Sequence, residues 1–173
     1  MNEIRCIDSD IFSSDKICKG IKSFFNGKRP VIACVGTDAT IGDALGPICG
    51  TMLKDAKLET FIYGTLDNPL TAKEIFAAKK YFSLVHPFSP LLVVDAAVGR
   101  AEDVGTIKVI DGGIRPGLGA DKDLPEMGNV SIIGIVNEKS VANYSFLNLT
   151  RLSPVYDMAK VVARGIIDYL SAV

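Results

Sequence analysis

The 173-residue chain has one histidine, no tryptophan and no Cys-x-x-Cys pair. With Cys6, Cys18, Cys34 and Cys49 spread singly, no zinc-type ligand spacing is present. Cys18, Cys34 and Cys49 lie in apolar stretches, and all four are expected as reduced core or near-surface thiols. A catalytic cysteine would need a histidine partner. The only candidate, His86, sits in "VHPFSP", where Pro87 stops a helix and Pro90 shapes the entry to a strand, so a capping or surface role is expected. Charge of either sign is not in excess: 19 Lys+Arg stand against 20 Asp+Glu, and no basic block offers a track for a phosphate backbone. Nucleic acid is therefore not an expected partner. No apolar run approaches the ~18 residues that span a bilayer, and "MNEIRCIDSD" has neither a basic n-region nor an apolar h-region. The expectation is a cytoplasmic protein without a membrane partner.

What is present is an alternation of short apolar runs and helical patterns. "VIACV" (31–35) and "LLVVDA" (91–96) suit central parallel strands buried on both faces. "TFIYG", "GTIKVI" and "VSIIGIV" are further strand candidates. Ile17, Cys18, Ile21, Phe24 and Phe25 fall at helical spacing before Asn26-Gly27, and a second helical pattern runs from Thr71 to Val85. In "SPVYDMAKVVARGIIDYL", Ser153 reads as an N-cap and Pro154 as the first helical residue, with Val155, Met158, Ala159, Val162, Ile166 and Leu170 along one face. With 48% hydrophobic residues and no linker or repeat, one α/β domain over residues 1–173 is expected.

Ligands of such folds gather beyond the carboxyl ends of the strands. Three polar loops follow strands: "GTDATIGDALGP" from Gly36, "DAAVGRAEDVG" from Asp95, and "DGGIRPGLGADKDLPEMG" from Asp111. If all three strands are central and parallel, the loops converge. The first is no P-loop, because Asp43 follows Gly42 where a lysine would be needed, and its glycines do not fit G-x-G-x-x-G. Asp43 alone could serve the first turn of a helix, and Asp95 alone could tie a strand end to the next loop. Together on converging loops they suit acid/base chemistry, since neighbouring carboxylates do not ionise equally and one can keep its proton while the other activates water. The pair could also ligate a divalent metal, although two carboxylates without histidine or cysteine make a thin site. No cofactor is expected. Asp38 and Asp111 rank lower, because each sits in a turn that its side chain or neighbouring glycines explain. The stretch from Gly112 to Gly128 exceeds the usual connection length and is a candidate lid.

"GTDATIGDALGP", "LLVVDAAVGR", "IKVIDGGIRPGLGADKDLPEMG", "IIGIVN" and "NLTRLS", in this order, resemble the YyaC-type sporulation proteins of endospore-forming bacteria from about Val31 onward. More distantly, the chain resembles the spore germination protease, with its "PDALGP" loop, strand-end "DAL" segment and "D-x-GI-x-PG-x-G" loop. It also resembles the hydrogenase maturation proteases. These likenesses imply a three-layer α/β sandwich with a mostly parallel central sheet. They further imply peptide-bond hydrolysis by two aspartates, which match Asp43 and Asp95. Gly36, Thr37, Asp38, Gly42, Asp111, Gly117 and Gly119 would then shape the substrate site. Hydrogenase maturation proteases add a histidine beyond the second aspartate, and none follows Asp95 here. Asp123 stands where the germination protease tends to be basic.

The expected function is thus sporulation-associated peptidase action on a protein or peptide substrate. The alternatives are a binding or regulatory protein on the same scaffold and a metal-dependent hydrolase. Peptidyl-tRNA hydrolase shares a glycine-rich first loop but has a catalytic histidine without a counterpart here. An exposed apolar face would favour a homo-oligomer.

Overall fold

The structure, a computed structural model, describes residues 2–7, 13–116, 124–139 and 150–173. The elements follow in the order β1 (Glu3–Ile7), α1 (Ser13–Phe25), β2 (Val31–Cys34), α2 (Leu45–Asp55), β3 (Ile62–Tyr63), α3 (Ile75–Val85), β4 (Leu91–Gly99), β5 (Thr106–Asp111), β6 (Val130–Glu138) and α4 (Leu152–Ser171). The six strands form one sheet in the order β1-β5-β6-β4-β2-β3. The β6-β4-β2-β3 stretch is parallel, whereas β5 runs antiparallel to both β6 and β1. The expected three-layer α/β sandwich is what forms.

Strand alternation sorts the core into two layers. Ile32, Cys34, Leu92, Val94, Val130 and Ile132 face one cluster with α1, α2 and α4. Ala33, Val35 and Val93 face the other, closed by Ile75 and Phe82 of α3 together with Leu70, Leu124 and Met127. In α1, Ile17, Ile21 and Phe25 recur at four-residue spacing and are buried. All six apolar positions expected on α4 are buried, and Tyr169 joins them with its hydroxyl donating to the Lys28 carbonyl at 2.6 Å. Tyr169→Phe leaves that carbonyl without this partner and is expected to lower stability by about 1–2 kcal/mol, read by urea unfolding. An unchanged midpoint would show that water replaces the bond.

Several sequence expectations are corrected. The residue flanking α4 is Arg151, in extended backbone conformation, so Ser153 already lies inside the helix, its hydroxyl 3.4 Å from Asp157 Oδ2 on the next turn. α3 begins at Ile75 rather than Thr71, because Thr71 and Glu74 hydrogen-bond each other in a turn that precedes it. The three polar loops do not all leave the same edge. Since β5 is antiparallel, Asp111 pairs with Val130 at the start of β6, at the opposite edge from Asp43 and Asp95. Among the described residues no helix is long and apolar enough to cross a membrane.

Candidate active site at the carboxyl edge of β2 and β4

The last sheet contacts of β2 fix where the first loop departs. Val35 N–H donates to the Val94 carbonyl at 2.8 Å, and Gly36 N–H donates to the Leu70 carbonyl at 3.0 Å. The chain then folds back on itself: Thr37 N–H reaches the Asp43 carbonyl at 3.1 Å. Only glycine allows this closure at position 36, where φ is +139° and a Cβ would lie 2.1 Å from the Asp43 carbonyl oxygen. Thr37 also supplies the turn's side-chain bond, its hydroxyl accepting the Ala39 N–H at 3.2 Å. The turn that Asp38 was expected to close is therefore closed by its neighbour, and Asp38 is exposed.

Asp43 ends a short 3-10 turn, Ile41–Asp43, whose Gly42 is buried. The turn packs against β4 and α4. Ala44 separates Asp43 from α2, so this aspartate lies ahead of the helix's first turn, where it could have served had it acted alone. Burial pushes its carboxyl up to about 6, with a hydrogen bond from the Thr37 backbone pulling the other way. Next to it, the first turn of α2 leaves the Leu45 and Gly46 N–H groups without acceptors inside the helix.

Asp95 lies within β4, not at its end. β4 continues to Gly99 because β6 runs on beside it, and Asp95 pairs with Ile133 there. On the other side β2 has stopped, its last partners being Cys34 and Val94. Asp95 is thus the first β4 residue beyond β2, opposite the loop that carries Asp43. Its side chain is only 6% exposed, alternates with Val94 onto the α3 face, and accepts the Ala96 N–H at 3.0 Å through Oδ1.

The structure therefore brings Gly36, Thr37, Gly42, Asp43 and Asp95 to one edge and leaves Asp38 exposed at its rim. It places Asp111 at the other edge, exposed, while Gly117, Gly119 and Asp123 lie outside the described residues. Two polar residues that the sequence pattern did not single out share the site's edge. Asn137, closing the apolar run of β6, donates to the Thr150 hydroxyl at 3.0 Å and holds the approach to α4. Among the described residues no group of three or more His, Cys, Asp or Glu is placed to hold a metal ion.

His86 is far from this edge. It caps α3, its Nε2 lies 2.7 Å from the Tyr63 hydroxyl, and the Phe61 ring packs against it at a tilt of 47° with ring centres 4.6 Å apart. It also lines a groove of about 590 Å³ at the starts of β2 and β4, at the edge of the sheet opposite the one that carries the aspartates. All four cysteines are free thiols. Cys34 and Cys49 meet in the core, where the hydrogen bond between them and their burial push the Cys49 thiol well up, so it stays protonated and inert.

Comparison with known proteins agrees with the order of motifs. Over 141 residues the chain is 41% identical to the protein named "Uncharacterized protein YyaC" of Bacillus subtilis (strain 168), covering 81% of this chain and 69% of that protein. Residues 8–165, which include both aspartates, match the family described as "Protein of unknown function (DUF1256)", and the chain belongs to that family.

Proposed function

We propose that the chain is an aspartate-dependent peptidase of an endospore-forming bacterium, acting on a protein or peptide substrate. The observation that carries this reading is the Asp43 carboxyl held near 6 beside the β4 segment that bears Asp95. A carboxyl tuned close to neutrality changes its protonation state readily, as general acid/base work requires. One carboxyl takes the proton from water as its oxygen attacks the peptide carbonyl carbon. The other, protonated, donates to the leaving nitrogen, after which the C–N bond breaks. The Leu45 and Gly46 N–H groups at the start of α2 suit the carbonyl oxygen as its charge develops. The sporulation setting draws support from the likeness to the germination protease and from the Bacillus relative.

The test is a comparison of new peptide N-termini in extracts of sporulating cells treated with wild type, Asp43→Asn and Asp95→Asn. Wild type is expected to generate a defined set of cleavages, and each variant to slow them about 1,000-fold or more, the scale of losing an acid/base group in a concerted pair. Equal cleavage by all three proteins would remove the aspartates from the mechanism. The pH profile is a second check: with Asp43 as base, kcat/KM rises through about pH 6 and falls again at higher pH as the protonated partner loses its proton.

A binding or regulatory protein on the same scaffold is the second reading. It is favoured by the position of His86, which Tyr63 holds at the opposite edge, so that no imidazole joins the aspartates. It predicts partner capture that survives both Asn substitutions.

A further inference from the structure

The surface of α3 turned away from the sheet carries several large apolar residues among Lys79, Lys80 and Ser83. Of its eleven residues only Ile75 and Phe82 are buried, although Phe76, Tyr81, Leu84 and Val85 are apolar too. Large apolar residues left on the outer surface of a helix mark a face that expects cover. Beyond its end, Phe88 stands 98% exposed, and Leu84 is 70%, Phe76 63% and Phe61 61% exposed. With ~200 Å² for each large side chain, these residues and their neighbours leave roughly 700 Å² in solvent, above the roughly 300–600 Å² of an ordinary monomer's largest apolar patch. It approaches the roughly 800 Å² that each partner contributes to a stable interface.

Phe88 lies between Pro87 and Ser89, which rim the groove at the starts of β2 and β4. The floor of that groove is apolar, from Val31, Phe82 and Met127, and its walls carry Lys79 on one side and Glu126 on the other. A protruding ring therefore stands at the mouth of a groove about 590 Å³ in volume, whose lining mixes apolar residues with polar ones such as Ser83, His86 and Asn129. One chain cannot place the ring in its own slot while Phe88 points fully into solvent. Two chains related by a two-fold axis at this rim can exchange rings, each filling the other's groove. The rim charges favour a second copy over a partner of one charge: a surface bearing both Lys79 and Glu126 complements itself when rotated, and the net charge of -1 adds little repulsion.

We propose that the α3 edge is the contact of a symmetric homodimer, with Phe88 of each copy seated in the partner's groove. The two active-site edges then point away from the contact and stay open. Sedimentation velocity across roughly 1–100 µM, the range that resolves a micromolar dimer, should give twice the 18.5 kDa chain mass for wild type. Phe88→Asp and Leu84→Asp should each sediment as monomers, with dissociation at least about 30-fold easier, as for a central anchor. Both side chains are exposed, so circular dichroism should change little, and the melting curve should differ from wild type only by the concentration-dependent stabilisation that the dimer adds. Ser83→Trp, which fills the groove and leaves the apolar patch in place, should also give monomers. A monomeric wild type at the top of that range overturns the proposal, as does a dimer that survives Phe88→Asp and Leu84→Asp. A dimer in Ser83→Trp overturns the seating of the ring.

Discussion

Asp43→Asn is expected to raise the stability of the protein by about 2 kcal/mol at pH 7 and above, while leaving it nearly unchanged around pH 4. In the folded chain burial holds this carboxyl up to about 6, against 3.8 for an ordinary aspartate. Below the lower value both states are protonated and the group contributes nothing. Between the two, the unfolded chain releases its proton while the folded chain keeps it, so folding becomes less favourable as pH rises, and above about 6 the loss is complete. Two pKa units correspond to about 3 kcal/mol, and the remaining solvent contact of Asp43 reduces that to about 2. Asparagine has nearly the same shape and never ionises, so it escapes the penalty. For a chain of this length the gain corresponds to a melting point about 4–8 °C higher at pH 7. Melting curves of both proteins from about pH 4 to 8 decide the matter. A gain that is constant with pH, or a loss, would show that the carboxyl is not destabilised by burial. A residue that weakens the fold at neutral pH and is nonetheless placed in a glycine-framed turn is what an active site would hold, since strained electrostatics there serve chemistry and not stability.

Gly46→Ala is expected to cost about 3–5 kcal/mol and roughly 10 °C of melting temperature, with Gly50→Ala close behind. Both glycines lie on the face of α2 that touches the sheet. A Cβ at position 46 would fall 2.0 Å from the Val35 carbonyl oxygen, and one at position 50 would fall 2.0 Å from that of Gly64. These atoms are backbone, so no side chain can rotate away. Relief requires α2 to lift from β2 and β3, which opens contacts of Leu45, Ile48, Cys49 and Leu53, all of them buried. The displacement also reaches function. Asp43 is two residues from Leu45, and the turn that holds it is bonded to Thr37, so a lifted helix drags the carboxyl away from β4. A variant that melts within 2–3 °C of wild type would mean that the helix rides higher on the sheet than this close approach requires.

Much of this architecture is written in apolar spacing. β2, β4 and β6 are short apolar runs buried on both sides, and α1 and α4 carry stripes that no other element could satisfy, so they can be read directly. β1 cannot. "EIRCI" alternates charged and apolar residues too briefly to stand out, and the strand exists because β5 offers it a backbone partner. Strand direction is equally silent in the sequence, because a parallel and an antiparallel strand can have the same side-chain pattern. That is why Asp111 could be assigned to the cluster of loops from its motif, yet sits at the other edge. Asp95 was legible because it breaks an apolar run with a charge, and Asp43 because it sits in the glycine-punctuated loop behind one. The raised carboxyl of Asp43 was not, since burial depends on how the loop closes over Gly36. His86 was correctly placed at a helix end, but its partner Tyr63 comes from another element, twenty-three residues earlier.

The pairing of β1 with β5 has a consequence for synthesis. Cys6 meets Ile107, about a hundred residues later in the chain. At roughly 5–20 residues per second, β1 leaves the ribosome some 5–20 s before the strand it must join. During that interval it is a short unpaired strand that other chains could capture. Glu3 and Arg5, exposed or half-exposed on β1 and ion-paired with each other at 2.8 Å, keep one side of it charged, which discourages such capture. When β5 arrives, Lys108 comes within 3.7 Å of Glu3 and Arg5 bonds Asp103 at 3.1 Å, so the charges that protected the nascent strand become the clasp that fastens the finished edge.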